Sequence, residues 1–376
     1  MANPFQDKLN QLSRLHKRRA LIPIQGIDFS SNDYLALASH VGIRQSLVDA
    51  LQGEILLGAG GSRLLRGNHI QHENLETFAA DYFGAEACLF MSTGYLANLA
   101  IFTSLPTRTD AIVFDEYSHA STKEGIHAAT SKSYKFAHND MMSCEDALKR
   151  ARKNGAKTVW IAVESVYSMD GDMCPLDQIM DIANRHDAFV IVDEAHATGI
   201  HGPEGRGLSA AFEGQENLLA LHTCGKALGQ SGALVTMSSV LKDYMVNCAR
   251  SFIYTTAPSP LAAVAVHQAL TVVRDEPERR RALEDLSVYT RNKIEPLFDM
   301  NTSTSQIIPL LVGKDGDAFA LAQKLQYQGF DIRAIRTPTV PNNTARLRLS
   351  VTLNVSSNDV DGLAQALEQA LERMQT

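Results

Sequence analysis

Val190-Ile191-Val192-Asp193-Glu194-Ala195-His196 is an apolar β-branched run that ends abruptly in charge. A run without alternation fits a strand covered on both faces, as in a parallel sheet. The aspartate that closes it is partly desolvated, so it needs a cation or hydrogen-bond donors to remain ionised. A protonated ring nitrogen would be such a cation. Further on, the apolar run 218–221 leads into His222-Thr223-Cys224-Gly225-Lys226, with Gly229 and Gly232 beyond. The interval between Asp193 and Lys226 has room for one helix and one strand, which predicts neighbouring strand ends facing one crevice. A lysine with a lowered pKa forms a Schiff base with an aldehyde, and glycines beside it admit a planar ring or a phosphate. Alone, such a lysine is ordinarily a solvated charge and such an aspartate ordinarily a cap; their pairing singles them out.

Outward from this pair, short β-rich runs at 87–91, 111–114, 159–163, 189–192, 218–221 and 234–237 alternate with longer helical patterns. That predicts an α/β protein whose large domain holds a mainly parallel sheet flanked by helices. The strands end in Ser92 and Thr93, Asp115, Glu164, Asp193 and Thr223, which should converge at the carboxyl edge. A charged helical pattern from Glu276 leads out of the large domain. Strands at 307–312 and 346–351 and helices at 318–328 and 360–374 then predict a small C-terminal α+β domain. The expected division is an arm at 1–45, a large domain at 46–270 and a small domain at 271–376.

Two further stretches belong to the same edge. STGYLAN, from Ser92 to Asn98, reads as a helix entered at Gly94, whose free N–H groups suit a phosphate. DEYSHAS, from Asp115 to Ser121, puts His119 where its ring could stack on a planar group; a plain loop histidine is the alternative. Asp193 to His196 also spells the D-E-A-H of helicase ATPases. Those require a G-x-x-x-x-G-K-[ST] loop, and here Ala220 and Ala227 stand where glycine and Ser or Thr belong. His69 and His72 lack a third ligand at recognisable spacing, so no metal is expected.

The 376 residues are 45% hydrophobic and 20% charged with a net charge of -7. This is the profile of a globular protein without general attraction for nucleic acid or anionic membrane. It favours a small-molecule enzyme. Five scattered cysteines without a C-x-x-C pair suit a reducing cytoplasm. Leu9, Leu12 and Leu15 recur at helical spacing among bases and form an amphipathic arm, with neither a signal core nor a membrane span.

Taken together the chain resembles the fold-type-I pyridoxal-phosphate enzymes and, within them, the α-oxoamine synthase family. FSSNDYLALA, GAGGSRLLRGNHIQHENLE, ESVYSMDGDMCPL, VDEAHATG, HTCGKALG, SFIYTTAPSP and RTPTVPNNTARLRLSVT carry the likeness over nearly the whole length. The resemblance implies a cytoplasmic homodimer with shared active sites that condenses an amino acid with an acyl thioester and releases CO₂. Coenzyme A and acyl carrier protein both stand as carriers of the acyl group. A sister synthase with another amino acid or acyl chain, and a non-catalytic regulator that binds the cofactor, are the alternatives. The intact Lys226, Asp193 and His119 speak against the regulator.

By this resemblance Lys226 is the Schiff-base lysine and the base, Asp193 the partner of the pyridine nitrogen, and His119 the ring that stacks. Ser168 and His196 hold the cofactor's phenolic oxygen side. Gly94 and Tyr95 offer backbone N–H groups to the phosphate, with Thr223 adding a hydroxyl and Thr256 reaching the phosphate of the neighbouring subunit. Arg348 grips the amino-acid carboxylate bidentately, Thr339 touches substrate, and Asn32 belongs to the acyl-substrate site. The alternation Arg346, Arg348, Ser350 is also compatible with the polar face of a strand. In one respect the sequence departs from the family: only ALIPIQGIDF separates the arm from SSNDYL, where relatives carry a longer stretch. Arg18 and Arg19 are therefore equal candidates for the arginine that meets the acyl group.

Overall fold

The run 190–192 becomes the middle of a seven-stranded sheet. In the computed structural model, which describes residues 3–15, 17–298 and 303–375, a two-residue strand β1 (Ile27–Asp28) precedes it. The sheet itself comprises β2 (Ala87–Met91), β3 (Ala111–Asp115), β4 (Lys132–Phe136), β5 (Val159–Glu164), β6 (Phe189–Asp193), β7 (Leu218–Thr223) and β8 (Ala233–Met237). Their order across the sheet is β2-β8-β7-β6-β5-β3-β4, and every pairing is parallel except the two made by β8.

Side chains alternate between sheet faces, and here both faces are buried. Val113, Ile161, Val163, Val190 and Val192 enter one apolar cluster with Leu148 and Ile179. Their neighbours Ile112, Trp160, Ala162 and Ile191 enter the other with Ile101 and Phe102. Continuous apolar runs are the result. β4 escaped this reading because it is the edge strand: Lys132 and Lys135 are exposed, and its sequence KSYKF is mostly polar. Exposed lysines also discourage pairing with another sheet edge.

The interval between Asp193 and Lys226 differs from expectation. It delivers β7 beside β6, in parallel, but the intervening helix is replaced by 3-10 turns at Pro203–Gly205 and Leu208–Ala211. Gly199, Gly202, Gly205 and Gly207 all take positive φ there, a conformation that no α-helix sustains.

Residues 35–168 and 173–280 form one compact unit and contain the whole of this sheet. Residues 1–34, 169–172 and 281–376 form the other. In the latter, β9 (Ile307–Gly313), β11 (Arg333–Ile335) and β12 (Ala345–Ser350) make an antiparallel sheet in the order β11-β12-β9, while β10 (Phe330–Asp331) pairs with β1. Helices Asp315–Tyr327 and Ser357–Gln375 accompany it, and Pro4–Arg14 forms the helical arm. The insertion 169–172 is tied in at Gly171, whose φ is +69° and whose carbonyl accepts from Ser305 Oγ at 2.7 Å. A Cβ at Gly171 would lie 2.2 Å from the Ile307 carbonyl oxygen.

Ile161 is fully buried in β5. Truncation to Ala is expected to lower the unfolding free energy by about 2–5 kcal/mol. Urea titration checks this, and a loss below about 1 kcal/mol would contradict so central a place in the core.

Candidate active site

The carboxyl ends of β3, β5, β6 and β7 lie along one edge of the large unit's sheet, where the polar endings gather. Asp115 is occupied by its own turn: it accepts from Tyr117 N at 2.7 Å and from Asn139 N at 3.0 Å, and meets His138 Nδ1 at 2.9 Å.

Asp193 is buried and accepts from Asn98 Nδ2 at 2.9 Å and from Ala195 N at 3.0 Å. Asn98 reaches it because the helix Gly94–Ser104 begins just past β2, with Thr93 Oγ1 accepting from Leu96 N at 3.1 Å as its cap. The same Asn98 amide donates to Ser121 Oγ at 2.9 Å. Ser121 Oγ lies 2.7 Å from His119 Nδ1, which also accepts from Ser121 N at 3.2 Å. His119 Nδ1 is therefore an acceptor and Nε2 carries the proton. A chain of hydrogen bonds thus runs from the Asp193 carboxylate to the ring of His119. That ring is exposed on its open side, yet the protein packed around it lowers its pKa, and Lys226 and Lys123 outdo part of the opposing pull of Asp193.

Lys226 sits in the loop after β7, half-buried, with Nζ 2.8 Å from Nε2 of the buried His196. The structure thus brings Lys226, His196, Asp193 and His119 to one strand edge. Gly94 stands at the helix start, where a Cβ would come 2.4 Å from Thr223 Cγ2. The helix start leaves the first N–H groups of the helix, those of Gly94 and Tyr95, without intrahelical partners. Ser168 is buried in the turn after β5 and donates its N–H to Glu164 Oε2 at 3.3 Å. Thr256 is exposed on the loop before the helix Pro260–Asp275. That loop is pinned to the glycine-rich stretch by Ala257 N, which donates to Gly61 O at 2.9 Å.

In the small unit all of β12 is buried, which excludes a solvated polar face. Arg346 pairs with Asp170 and donates to Thr344 O at 3.0 Å, a structural employment. Arg348 is held differently. Its Nη1 donates to Asn32 Oδ1 at 3.1 Å and Ser350 Oγ at 2.7 Å, and its Nη2 to Tyr34 OH at 3.2 Å. Asn32 and Arg348, named separately in the sequence, are hydrogen-bond partners. Thr339 is exposed at a cavity of about 600 Å³ whose lining includes Lys17, Arg18, Arg19 and Arg336. Nη1 of Arg336 is buried there without a hydrogen-bond partner.

Asn98, Ser121, Tyr34 and Arg336 carried no role in the sequence reading. Asn98 had a signal, one helical turn beyond Gly94 and hence on the same face; the others had none. Among the described residues no group of three His, Cys, Asp or Glu could hold a metal ion, and no helix is long and apolar enough to cross a membrane.

A lysine amine, a carboxylate steadied by two N–H donors and a bare helix start are the features a phosphorylated pyridine aldehyde requires, so this lining fits pyridoxal phosphate. The chain belongs to the aminotransferase class I and II family, whose pattern matches residues 24–367. It is 39% identical over 385 aligned positions to the 8-amino-7-oxononanoate synthase of Chromobacterium violaceum, covering 98% of each chain. Among solved structures it matches 8-amino-7-oxononanoate synthase from Francisella tularensis with a TM-score of 0.79 and 25% identity, covering 93% of this chain and 99% of that one. It also matches a structure described as SPT with PLP, with a TM-score of 0.85 and 25% identity over 91% of this chain and 86% of that one.

Burial, and after it the charge of Asp193, pushes the Glu164 carboxyl up to about 8. A carboxyl whose folded pKa exceeds its unfolded value binds more protons folded than unfolded, so stability falls as pH rises between the two values. Relative to the parent, E164Q is therefore expected to gain thermal stability progressively from about pH 4.5 to about pH 8 and no further above. Melting curves across this range check it, and a difference independent of pH would refute it.

Proposed function

We propose that this chain is a pyridoxal-phosphate enzyme that condenses L-alanine with a pimeloyl thioester, releasing CO₂ and free thiol and forming 8-amino-7-oxononanoate for biotin. The observation that carries the reading is Lys226 Nζ at 2.8 Å from His196 on the same sheet edge as Asp193. Near-full-length relatives bearing that enzyme's name support the choice of substrates.

When bound, the cofactor supplies an electron sink for charge developing at the amino acid's Cα. Lys226 is the amine that holds it and the base that takes the Cα proton, with His196 beside Nζ to stabilise each protonation state. Asp193, held by hydrogen bonds from Asn98 and Ala195, would be the partner of the ring nitrogen. His119 stacks on the ring face, and Ser168 and His196 hold its phenolic oxygen. Gly94, Tyr95 and Thr223 receive the phosphate. Arg348 would bind the amino acid's carboxylate. Its hydrogen bonds to Asn32, Tyr34 and Ser350 orient the guanidinium. The basic cavity beside Thr339 takes the anionic part of the acyl donor.

The working form is a homodimer of the cytoplasm in which Thr256 serves the neighbouring subunit's phosphate. The apolar surface around the Gly61 loop supports this: Leu57 and Leu65 are 70% and 80% exposed, with Leu56, Leu64 and Tyr254 also exposed. Light scattering of the parent should give twice the chain mass, and Leu65→Asp should shift it toward monomer. A monomeric parent with full turnover would refute the shared site.

Purified protein supplied with pyridoxal phosphate, pimeloyl thioester and competing L-alanine, glycine and L-serine tests the reaction. Mass spectrometry should find 8-amino-7-oxononanoate as the dominant product with either coenzyme A or acyl carrier protein as donor. Lys226→Ala should lower turnover by at least about 10²–10⁴-fold. Arg348→Lys should raise the KM for alanine about tenfold or more with cofactor still bound. Another amino acid dominating the product would move the function to a sister synthase.

A further inference from the structure

His69 and His72, which lack a third ligand for a metal, have another employment. His69 caps the helix Ile70–Phe83, its Nδ1 accepting from Gln71 N at 3.2 Å, and its own N–H donates to His72 Nδ1 at 3.2 Å. Nδ1 of His72 is therefore an acceptor, so Nε2 carries the proton and donates to the carbonyl oxygen of Pro258 at 2.9 Å. The ring is buried, on a helix whose Leu75, Ala79 and Phe83 belong to the core. Burial, and after it the charge of Arg63, lowers its pKa, which agrees with the neutral form that the two bonds require.

Pro258 stands two residues beyond Thr256, in the irregular stretch between the helices Arg250–Ile253 and Pro260–Asp275. Ala257 N donates to Gly61 O at 2.9 Å and Ser259 Oγ to Leu57 O at 2.8 Å, but these bonds reach a loop that is itself at the surface, where Leu56 and Leu57 are exposed. His72 joins the same stretch to a helix seated in the core. We propose that His72 is a positioning residue, which through the Pro258 carbonyl holds the loop that presents Thr256 to the cofactor phosphate of the neighbouring subunit. The inference rests on the reading that Thr256 serves that phosphate. A hydroxyl on an irregular loop binds an oxyanion tightly when the loop is ordered beforehand, because ordering it on binding costs affinity. His72 supplies that order and touches no reacting atom.

The experiment measures the pyridoxal-phosphate dissociation constant of the full chain by equilibrium dialysis for the parent, H72N, H72Q, T256V and the double variant H72N/T256V. Asn puts an oxygen where Nδ1 stands and keeps the bond from His69, but falls short of Pro258. Gln puts an amide N–H where Nε2 stands and keeps the bond to Pro258. The expected result is H72N weaker than the parent by about fivefold or more, since the Pro258 carbonyl loses its donor, with H72Q within about twofold of the parent. T256V should itself be weaker by about fivefold or more, and adding H72N to it should cost less than about a further twofold. A residue that acts through Thr256 has nothing left to act on there, whereas a merely structural loss would add in full. With T256V weakened, H72N at the parent's affinity overturns the inference alone, as does H72Q weakened as far as H72N, or a full further loss in the double variant. Should H72N fail to fold, H72M, which fills the ring's volume and makes neither bond, takes its place in both backgrounds under the same criteria. A parent that binds no pyridoxal phosphate, or T256V as tight as the parent, overturns the reading of the site on which the inference rests, so the two failures are separable.

Discussion

The hydrogen bond from Asn98 to the carboxylate of Asp193 is the contact on which the rest of the large unit's site depends. A carboxylate at the centre of a sheet covered on both faces is expensive to keep ionised, and here two N–H donors meet it within 3.0 Å. Because the Asn98 amide has two hydrogens, the group that steadies Asp193 also sets Ser121, and through it the tautomer of His119. One side chain, on the first turns of a helix that starts where β2 ends, therefore holds the carboxylate of one residue and, through Ser121, the ring of another. Its position follows from the strand-to-helix turn at Gly94, where a Cβ would press on the Thr223 methyl.

The same edge shows how burial can separate like groups. Asp193 and Glu164 stand side by side across two parallel strands, yet one is furnished with donors from a side chain and a backbone while the other keeps an orphan oxygen. Burial raises the Glu164 carboxyl well above the usual carboxylate range. In the small unit the two buried arginines of β12 are held differently: Arg346 pairs with Asp170, whereas Arg348 donates to Asn32, Tyr34 and Ser350.

Much of this was legible in the sequence, for physical reasons that differ by element. The core strands were readable because a doubly covered sheet demands unbroken apolar runs, as at 190–192 and 218–221. β4 was not, since an edge strand has only one demanding face and KSYKF satisfies it with little apolar content. The helix expected between Asp193 and Lys226 failed on glycines, whose frequency in 199–207 signalled turns more strongly than the spacing signalled a helix. Lys226, Asp193 and His119 could be named because each follows a recognisable strand. Ser121 and Tyr34 could not, since a hydroxyl's usefulness depends on which group long-range packing puts opposite it. Glu164 was visible as a strand ending, but its burial beside Asp193 belongs to register, which sequence does not state.

The four-residue insertion 169–172 has a consequence for the order in which the molecule is completed. Its anchors, Ser305 at Gly171 and Arg346 at Asp170, are made by the ribosome more than a hundred residues later. The large unit's sheet can therefore be complete in a growing chain while the turn that carries Ser168 still lacks the tether just beyond it. Only when β12 has emerged can residues 169–172 take both anchors, so a truncated or stalled product would own the sheet and its lysine with this insertion still untethered.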